Sequence, residues 1–203
     1  MATVDQTRGP RAGARGWTTR DAVLVAVLAV VFGFLYIEWL PLWLGVSALG
    51  AQIGQEALFG FWLANSVLAS YIIRKPGAAL LGEFLAAFAE VLFGSAVGVP
   101  LLITGLVEGL GAELVFGLRG WRDYSLPMVL AAGAAAALVA LPWNWYRLGY
   151  GALNPRFLAI LVVVRLLSGM ILSGLLPKLI GDALARTGVL TGFALGRARQ
   201  DLV

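Results

Sequence analysis

The stretch from Ala22 to Leu40, AVLVAVLAVVFGFLYIEWL, contains one charged residue, Glu38, in an otherwise aliphatic and aromatic run. A helix of about 20 apolar residues spans the ~30 Å hydrocarbon core of a bilayer. A cleaved signal peptide is the alternative, but Glu38, Trp39 and Pro41 stand where such a peptide has small residues at its cleavage site. The stretch therefore predicts a first membrane-spanning helix.

The whole chain shares this apolar character. Of its 203 residues, 60% are hydrophobic and 13% charged, and the mean hydropathy is +0.88. Soluble domains average about 45–50% apolar and about 25% charged residues. Charges and helix breakers separate further apolar segments, which predict five more spans at about residues 57–73, 78–94, 98–118, 125–146 and 157–177. The expected fold class is an all-α membrane protein, a six transmembrane helix bundle over residues 21–177, without a separate soluble domain.

The basic residues predict how this bundle is oriented. Twelve of the 15 Lys and Arg residues precede the first span or follow the second, fourth and sixth spans, so they share one end. The other end has Arg147 and Arg156, and Arg165 lies inside the sixth span. By the positive-inside rule, both the N-terminus and the C-terminus are then cytoplasmic. Residues 1–20 are expected to form a basic cytoplasmic tail, and residues 178–203 a broken interfacial helix on the same face.

Several chemistries lack their usual residues in this chain. It has no His and no Cys, which removes the common ligands of zinc, haem and iron–sulfur centres and the common base of a nucleophile. It also has no GxxxxGK[ST] loop, so energy from ATP would have to enter through another protein. We expect no metal, no cofactor and no catalytic residue. Because the basic residues follow the topology, we also expect no nucleic-acid partner.

The glutamates indicate where polar chemistry lies. All six lie in or beside apolar spans, at positions 38, 56, 83, 90, 108 and 113. A charge at the centre of a membrane helix costs at least ~2.5–3.5 kcal/mol, so these side chains should face inward. Glu90 and Glu108 are predicted in the outer half of the bundle. Arg165 is expected to form an internal ion pair with Glu108 or Glu83. Glu83 and Glu113 are assigned structural roles as members of ion pairs.

An intramembrane enzyme that uses Glu108 and Glu113 as an acid–base pair is an alternative. The two residues are five apart, so their side chains point about 140° from each other on a helix, which argues against a shared site. Small residues on the same span, Gly105, Gly109 and Ala112, predict close helix packing instead.

Aromatic residues gather at the predicted outer ends of the spans. Trp39, Trp43 and Trp145 fit an interfacial belt, which membrane proteins of any function have. Trp62 and Trp143 lie within spans, near the predicted depth of Glu90 and Asn65. Aromatic faces beside carboxylates suit a flat, cationic organic ligand.

Ordered blocks along the chain resemble the YkoE-type S components of energy-coupling factor (ECF) transporters. The blocks are Arg74-Lys75-Pro76-Gly77-Ala78-Ala79, Glu83 with Ala86-Ala87 and Glu90, Glu108-Gly109-Leu110-Gly111-Ala112-Glu113, Tyr124-Ser125-Leu126-Pro127 and Thr187-Gly188-Val189-Leu190. The resemblance runs from about Asp21 to Gly196. It implies a subunit in a prokaryotic plasma membrane that captures thiamine or its hydroxymethylpyrimidine (HMP) moiety from outside. A transmembrane coupling subunit and two cytoplasmic ATPase subunits would be its partners.

The resemblance also implies sites on the chain. Small residues on the first helix of S components dock the coupling subunit, and the matching positions here are Ala22, Ala26 and Ala29. Thiamine carries a permanent cation and an aminopyrimidine with an amino donor beside ring acceptors, which suits acids, amides and aromatic faces. The predicted substrate-binding residues are Glu90, Glu108, Trp62, Trp143, Asn144, Tyr146 and Asn65. An S component for a different vitamin and a non-transport membrane assembly protein remain the alternatives.

Overall fold

The computed structural model describes residues 16–48 and 52–200, which form helices joined by short loops, with no strand in those ranges. Residues 1–15 of the predicted tail lie outside the described residues. The α-helices are α1 (Thr19–Ala48), α2 (Gln52–Phe59), α3 (Ala64–Ile73), α4 (Ala78–Leu92), α5 (Pro100–Leu118), α6 (Leu126–Leu148), α7 (Pro155–Ser168), α8 (Leu176–Arg186) and α9 (Ala194–Gln200).

Five helical segments are long and apolar enough to cross a membrane: Thr19–Val46, Gln52–Ile73, Pro100–Leu118, Leu126–Leu148 and Pro155–Arg186. This confirms the all-helical membrane class. The second segment joins α2 to α3 through a 3-10 turn, Gly60–Leu63, and the last joins α7 to α8 through a π-helical stretch, Gly169–Leu175. The helix α4 is shorter, with 15 residues.

The last helix extends beyond the end predicted for the last span. We expected the span to stop at Pro177, and the helix that contains this residue continues to Arg186. Pro177 lies in the first turn after the π-helical stretch, where a proline without an N–H group is tolerated. The segment after residue 177 therefore begins as a continuation of this helix, and α9, which contacts α3, follows it.

The centre of the bundle is α3, whose ten residues are all buried. It contacts α1, α4 and α8, while α4 packs between α1 and α5 and α5 packs on α6. Glycines on α5 permit close approaches: a Cβ added at Gly105 would lie 2.7 Å from the Cβ of Ala87, and one at Gly109 would lie 2.8 Å from the Cα of Leu80. This confirms the predicted packing face of α5.

The predicted docking residues on α1 differ in exposure. Ala22 and Ala26 are exposed, but Ala29 is buried with 4% of its surface accessible. Ala29 is therefore covered by its own chain, unlike Ala22 and Ala26. It lies near Gly33, where an added Cβ would be 2.7 Å from the Cβ of Ala89 on α4. Part of the small-residue stripe thus serves packing within the chain.

Two loops that carry basic residues, one with Arg74 and Lys75 and the other with Arg119 and Arg122, lie at one end of the bundle, which we name the basic end. There Lys75 forms an ion pair with Asp21 at 2.7 Å, and the Trp17 indole donates to the carbonyl of Pro76 at 3.0 Å. Arg74 has a left-handed backbone (φ 56°), and its guanidinium lies 5.1 Å from the ring centroid of Tyr124. These contacts join the start of α1 to the loop before α4, and that loop to the loop after α5.

Candidate functional site

A cavity of about 360 Å³ opens at the other end of the bundle, which we name the pocket end. Its volume is within the ~300–1,000 Å³ of small-molecule sites, and its walls are largely apolar and aromatic, as such sites usually are. The lining residues are Tyr36, Leu40, Trp43, Leu44, Phe59, Trp62, Glu83, Ala87, Glu90, Ala96, Val97, Leu101, Thr104, Glu108, Asn144, Arg147 and Leu148.

The buried wall of the pocket carries two polar side chains from neighbouring helices, Glu108 on α5 and Asn144 on α6. They are 3% and 4% exposed. In the described part of the chain, the Glu108 Oε1 acceptor and the Asn144 Nδ2 donor make no well-formed hydrogen bond, although the two side chains are close enough to interact with each other. Buried polar atoms are almost always hydrogen-bonded. This donor and acceptor in a ligand-sized cavity therefore indicate a polar guest.

Glu83 and Tyr36 form a second polar wall. The Oε2 atom of Glu83 accepts from the backbone N–H of Ser66 at 2.8 Å, and the Tyr36 hydroxyl accepts from the N–H of Asn65 at 3.2 Å. The hydroxyl of Tyr36 is then free to donate to Glu83. Glu83 therefore lines the pocket and makes no ion pair among the described residues, which corrects its assignment to an ion pair.

The mouth of the pocket is built around Glu90 and Thr104. Glu90 accepts from the Ser95 hydroxyl at 3.1 Å. The Thr104 hydroxyl oxygen accepts from the indole of Trp143 at 2.8 Å and from the guanidinium of Arg147 at 3.1 Å. Trp143 therefore contacts Thr104 but does not itself line the pocket, which corrects the predicted place of Trp143.

The aromatic wall differs from the prediction in two residues. Trp62 lines the pocket as predicted, and Trp43, assigned to the interfacial belt, lines it too, with 5.8 Å between their ring centroids. Tyr146 is 81% exposed and stacks on Trp143 outside the pocket, so its assignment to the site is wrong. Asn65 is buried against α4, where its amide donates to the carbonyl of Gly82 at 2.7 Å, and it does not line the pocket either.

Three polar residues that line the pocket, Tyr36, Thr104 and Arg147, were not predicted from the sequence. A periodic signal marks the first, because Tyr36, Leu40, Trp43 and Leu44 follow the i, i+4, i+7, i+8 spacing of one helix face. The end of α1 therefore turns an aromatic stripe toward the pocket. No comparable pattern marks Thr104 or Arg147, which are brought together by the packing of α5 on α6.

The interruption between α2 and α3 sets the position of Phe59 and Trp62. Its freed backbone groups have side-chain partners: Ser168 accepts from the N–H of Gly60 at 2.9 Å and donates to the carbonyl of Ala57 at 2.7 Å. Interrupted membrane helices tolerate such breaks where neighbouring side chains satisfy the backbone. The two aromatic rings are thereby held on a fixed irregular segment.

Arg165 has a different ion partner from the predicted Glu108 or Glu83. It pairs with Glu56 at 2.7 Å, and the two side chains are 1% and 2% exposed. Its guanidinium also lies 3.5 Å from the ring centroid of Phe59, and Glu56 accepts from the indole of Trp145 at 2.9 Å. The predicted second span began at residue 57, but the helix begins at Gln52, so Glu56 is inside the bundle facing α7.

Glu113 lies at the basic end and has no ion partner among the described residues, which corrects that assignment as well. It accepts from the backbone N–H groups of Gly77 at 2.6 Å and Ala79 at 2.9 Å, and from the indole of Trp121 at 2.6 Å. The carboxylate therefore caps the N-terminus of α4. Since Glu108 lines the pocket instead, the two residues do not form an acid–base pair.

Three comparisons with known proteins agree with this architecture. Residues 20–139 match a family described as ABC-type cobalt transport system, permease component. The chain is 39% identical over 183 residues to the putative HMP/thiamine permease protein YkoE of Bacillus subtilis (strain 168), covering 90% of this chain and 92% of that protein. It also superposes with a TM-score of 0.89 on the crystal structure of an S-component of an ECF transporter, at 39% identity, covering 92% of this chain and 94% of that one.

The helical fold, the pocket and these similarities define the class of protein. The chain is a multi-pass transport protein of the prokaryotic plasma membrane, built as an S component. The chain belongs to the YkoE family, which confirms the resemblance seen in the sequence. The family description names cobalt. The described residues contain no group of three or more His, Cys, Asp or Glu side chains that could hold a metal ion.

Proposed function

We propose that this chain captures HMP or thiamine from outside the cell and delivers it inward as part of an ECF importer. The name of its Bacillus subtilis relative supports this cargo. The observation that carries the proposal is the pair of buried polar atoms in the pocket wall, the Glu108 Oε1 acceptor beside the Asn144 Nδ2 donor. HMP and thiamine share an aminopyrimidine, whose amino group donates and whose ring nitrogen accepts, so it matches this pair.

The other pocket residues fit the remainder of the ligand. Trp62 and Trp43 offer ring faces for stacking, and Glu90 at the mouth offers a negative charge to the thiazolium of thiamine. Glu83 accepts from the backbone of α3 and is within reach of the Tyr36 hydroxyl. Because each carboxylate oxygen can accept more than one hydrogen bond, Glu83 can still hold a ligand donor. We assign no catalytic role to any of these residues.

For the topology, we propose six transmembrane helices, with α4 as the short third one, over residues 21–177. The basic end faces the cytoplasm, with residues 1–20 and 178–203 as flanking cytoplasmic segments, and the pocket opens outward. The support is the distribution of charge, because Arg74, Lys75, Arg119 and Arg122 follow helices at one end while Arg147 and Arg156 occupy the other. A coupling subunit and two ATPase subunits complete the proposed importer.

Tryptophan fluorescence tests the cargo, because two of the seven tryptophans line the pocket. We expect saturable quenching of the purified protein by thiamine and by HMP, and a higher concentration of each ligand for half-maximal quenching in Glu108→Gln. The matched control is Glu38→Gln, since Glu38 is an exposed carboxylate outside the lining set. A response to riboflavin, biotin or Co²⁺ with none to thiamine or HMP would overturn the cargo.

A further inference from the structure

The charge of the pocket lining is mixed in an unexpected way. Three carboxylates, those of Glu83, Glu90 and Glu108, share it with one cationic side chain, Arg147. The carboxylates favour a positively charged guest, whereas a guanidinium at the mouth opposes one. A pocket that served a permanent cation alone would bind it more tightly without this arginine.

The guanidinium is also held against the pocket wall. Its Nη1 donates to the Thr104 hydroxyl oxygen at 3.1 Å, and the same oxygen accepts from the indole of Trp143 at 2.8 Å. Thr104 in turn donates to the carbonyl of Pro100 at 3.2 Å, so its hydroxyl is fully used. Arg147 is exposed, and this anchor keeps its charge at the pocket mouth.

We propose that Arg147 sets the charge selectivity of the pocket and disfavours a permanent organic cation relative to an uncharged aminopyrimidine. The inference rests on the proposed function and deepens it. Uncharged HMP is then the better-matched cargo, because the positive charge of Arg147 repels the thiazolium of thiamine and weakens its binding. For two unit charges about 8 Å apart at an effective dielectric constant of about 20–40, this repulsion changes a binding constant roughly 6- to 30-fold.

The test compares two ligands within each variant. The dissociation constants of thiamine and HMP are measured at neutral pH, where HMP is uncharged, and their ratio is taken for the native protein and for Arg147→Gln. We expect the substitution to lower the thiamine-to-HMP ratio at least about fivefold. Arg147→Lys keeps the charge and should keep the native ratio. High salt should reduce the difference between the native protein and Arg147→Gln.

Two further variants separate a local effect from a general one. Arg156→Gln removes an exposed arginine at the same end, outside the lining set, and should leave the ratio at its native value. Thr104→Val removes the anchor without removing the charge, so it should lower the ratio by less than Arg147→Gln. It also tests the inference if the arginine variant does not fold.

Two results would overturn the inference: an unchanged ratio in Arg147→Gln, or an equal change in Arg156→Gln. In either case both ligands still bind, and the proposed function stands. If the native protein binds neither thiamine nor HMP, the proposed function itself fails, and the inference fails with it.

Discussion

Glu108 and Asn144 lie on packed helices and face one cavity, and each places there a buried polar atom without a well-formed hydrogen bond to the described residues. One atom is an acceptor and the other a donor. A site built to hydrogen-bond a ligand group rejects analogues that lack it, because its own polar atoms are then left unpaired. The pair therefore defines what the pocket should refuse as well as what it should bind.

Oxythiamine, in which a carbonyl replaces the amino group of thiamine, should bind at least about tenfold more weakly than thiamine. Its carbonyl oxygen would face the Glu108 acceptor, and two acceptors cannot share a hydrogen bond. Competition against thiamine fluorescence quenching measures the ratio. Glu108→Gln should reduce the difference in affinity between the two compounds, because an amide can donate to the carbonyl of oxythiamine. Glu38→Gln should leave this difference unchanged. Equal affinities for both compounds in the native protein would contradict this assignment.

Glu113→Gln should lower the free energy of unfolding by about 1.5–3 kcal/mol, because hydrogen bonds to a charged acceptor are replaced and one N–H group meets an amide donor. The affected donors include Gly77 N–H and the Trp121 indole. Thermal unfolding in detergent measures the loss, and ligand affinity should be unchanged, since Glu113 is at the basic end. Glu38→Gln is again the matched carboxylate control. A variant as stable as the native protein would refute the capping role.

The Arg165–Glu56 pair should behave as a coupled unit. Arg165→Met alone leaves a buried carboxylate and should cost about 3–5 kcal/mol, as should Glu56→Leu alone. The double variant should be less destabilised than the sum of the two, because no uncompensated charge remains. A double-mutant cycle on unfolding free energies measures the coupling. Additive losses would show that the ion pair contributes nothing of its own.

Gly111→Ala should destabilise the bundle by about 1–3 kcal/mol through overpacking. A Cβ at this position would lie 2.5 Å from the carbonyl oxygen of Ala135 and from the Cα of Ala136, which are backbone atoms that cannot move aside alone. Gly45→Ala is the matched control, because nothing lies within 4 Å of its added Cβ. It should be neutral or slightly stabilising. Equal behaviour of both variants would be inconsistent with a close contact of α5 and α6.

Ala26→Trp should prevent co-purification with a coupling subunit while ligand quenching persists. Ala26 is exposed on α1 and outside the pocket lining, so a bulky side chain there blocks a close helix contact without touching the site. Ile160→Trp, at a half-exposed position on α7, is the control for added bulk. Unchanged co-purification of Ala26→Trp would exclude α1 as the docking helix.

The sequence predicted the helices well because membrane insertion depends on apolar length, which is a local property. The α5 and α6 boundaries differ by only one or two residues from those expected. The last helix runs past Pro177 to Arg186, because a proline in the first turn after the π-helical stretch does not end a helix. The start of α2 was also misplaced by five residues, since Glu56 looks like an interfacial charge until Arg165 is seen beside it.

The pocket was predicted in part. Glu90, Glu108, Trp62 and Asn144 line it as expected from depth and chemistry. The errors concern rotation about helix axes: Tyr146 and Trp143 have the right depth but face away from the cavity, and Trp43 faces into it. Depth follows from counting residues along one helix, whereas facing depends on which neighbours that helix packs against. The direction in which a side chain faces can therefore not be derived from the residues of its own helix alone.

The break between α2 and α3 has an evolutionary consequence. The amide and carbonyl groups freed by the break already have partners, among them Ser168 and Trp39 from other helices. We therefore expect the guest molecule to be recognised through side chains rather than through the main chain. Relatives can exchange the wall residues, and with them the nutrient they import, while inheriting the same scaffold intact.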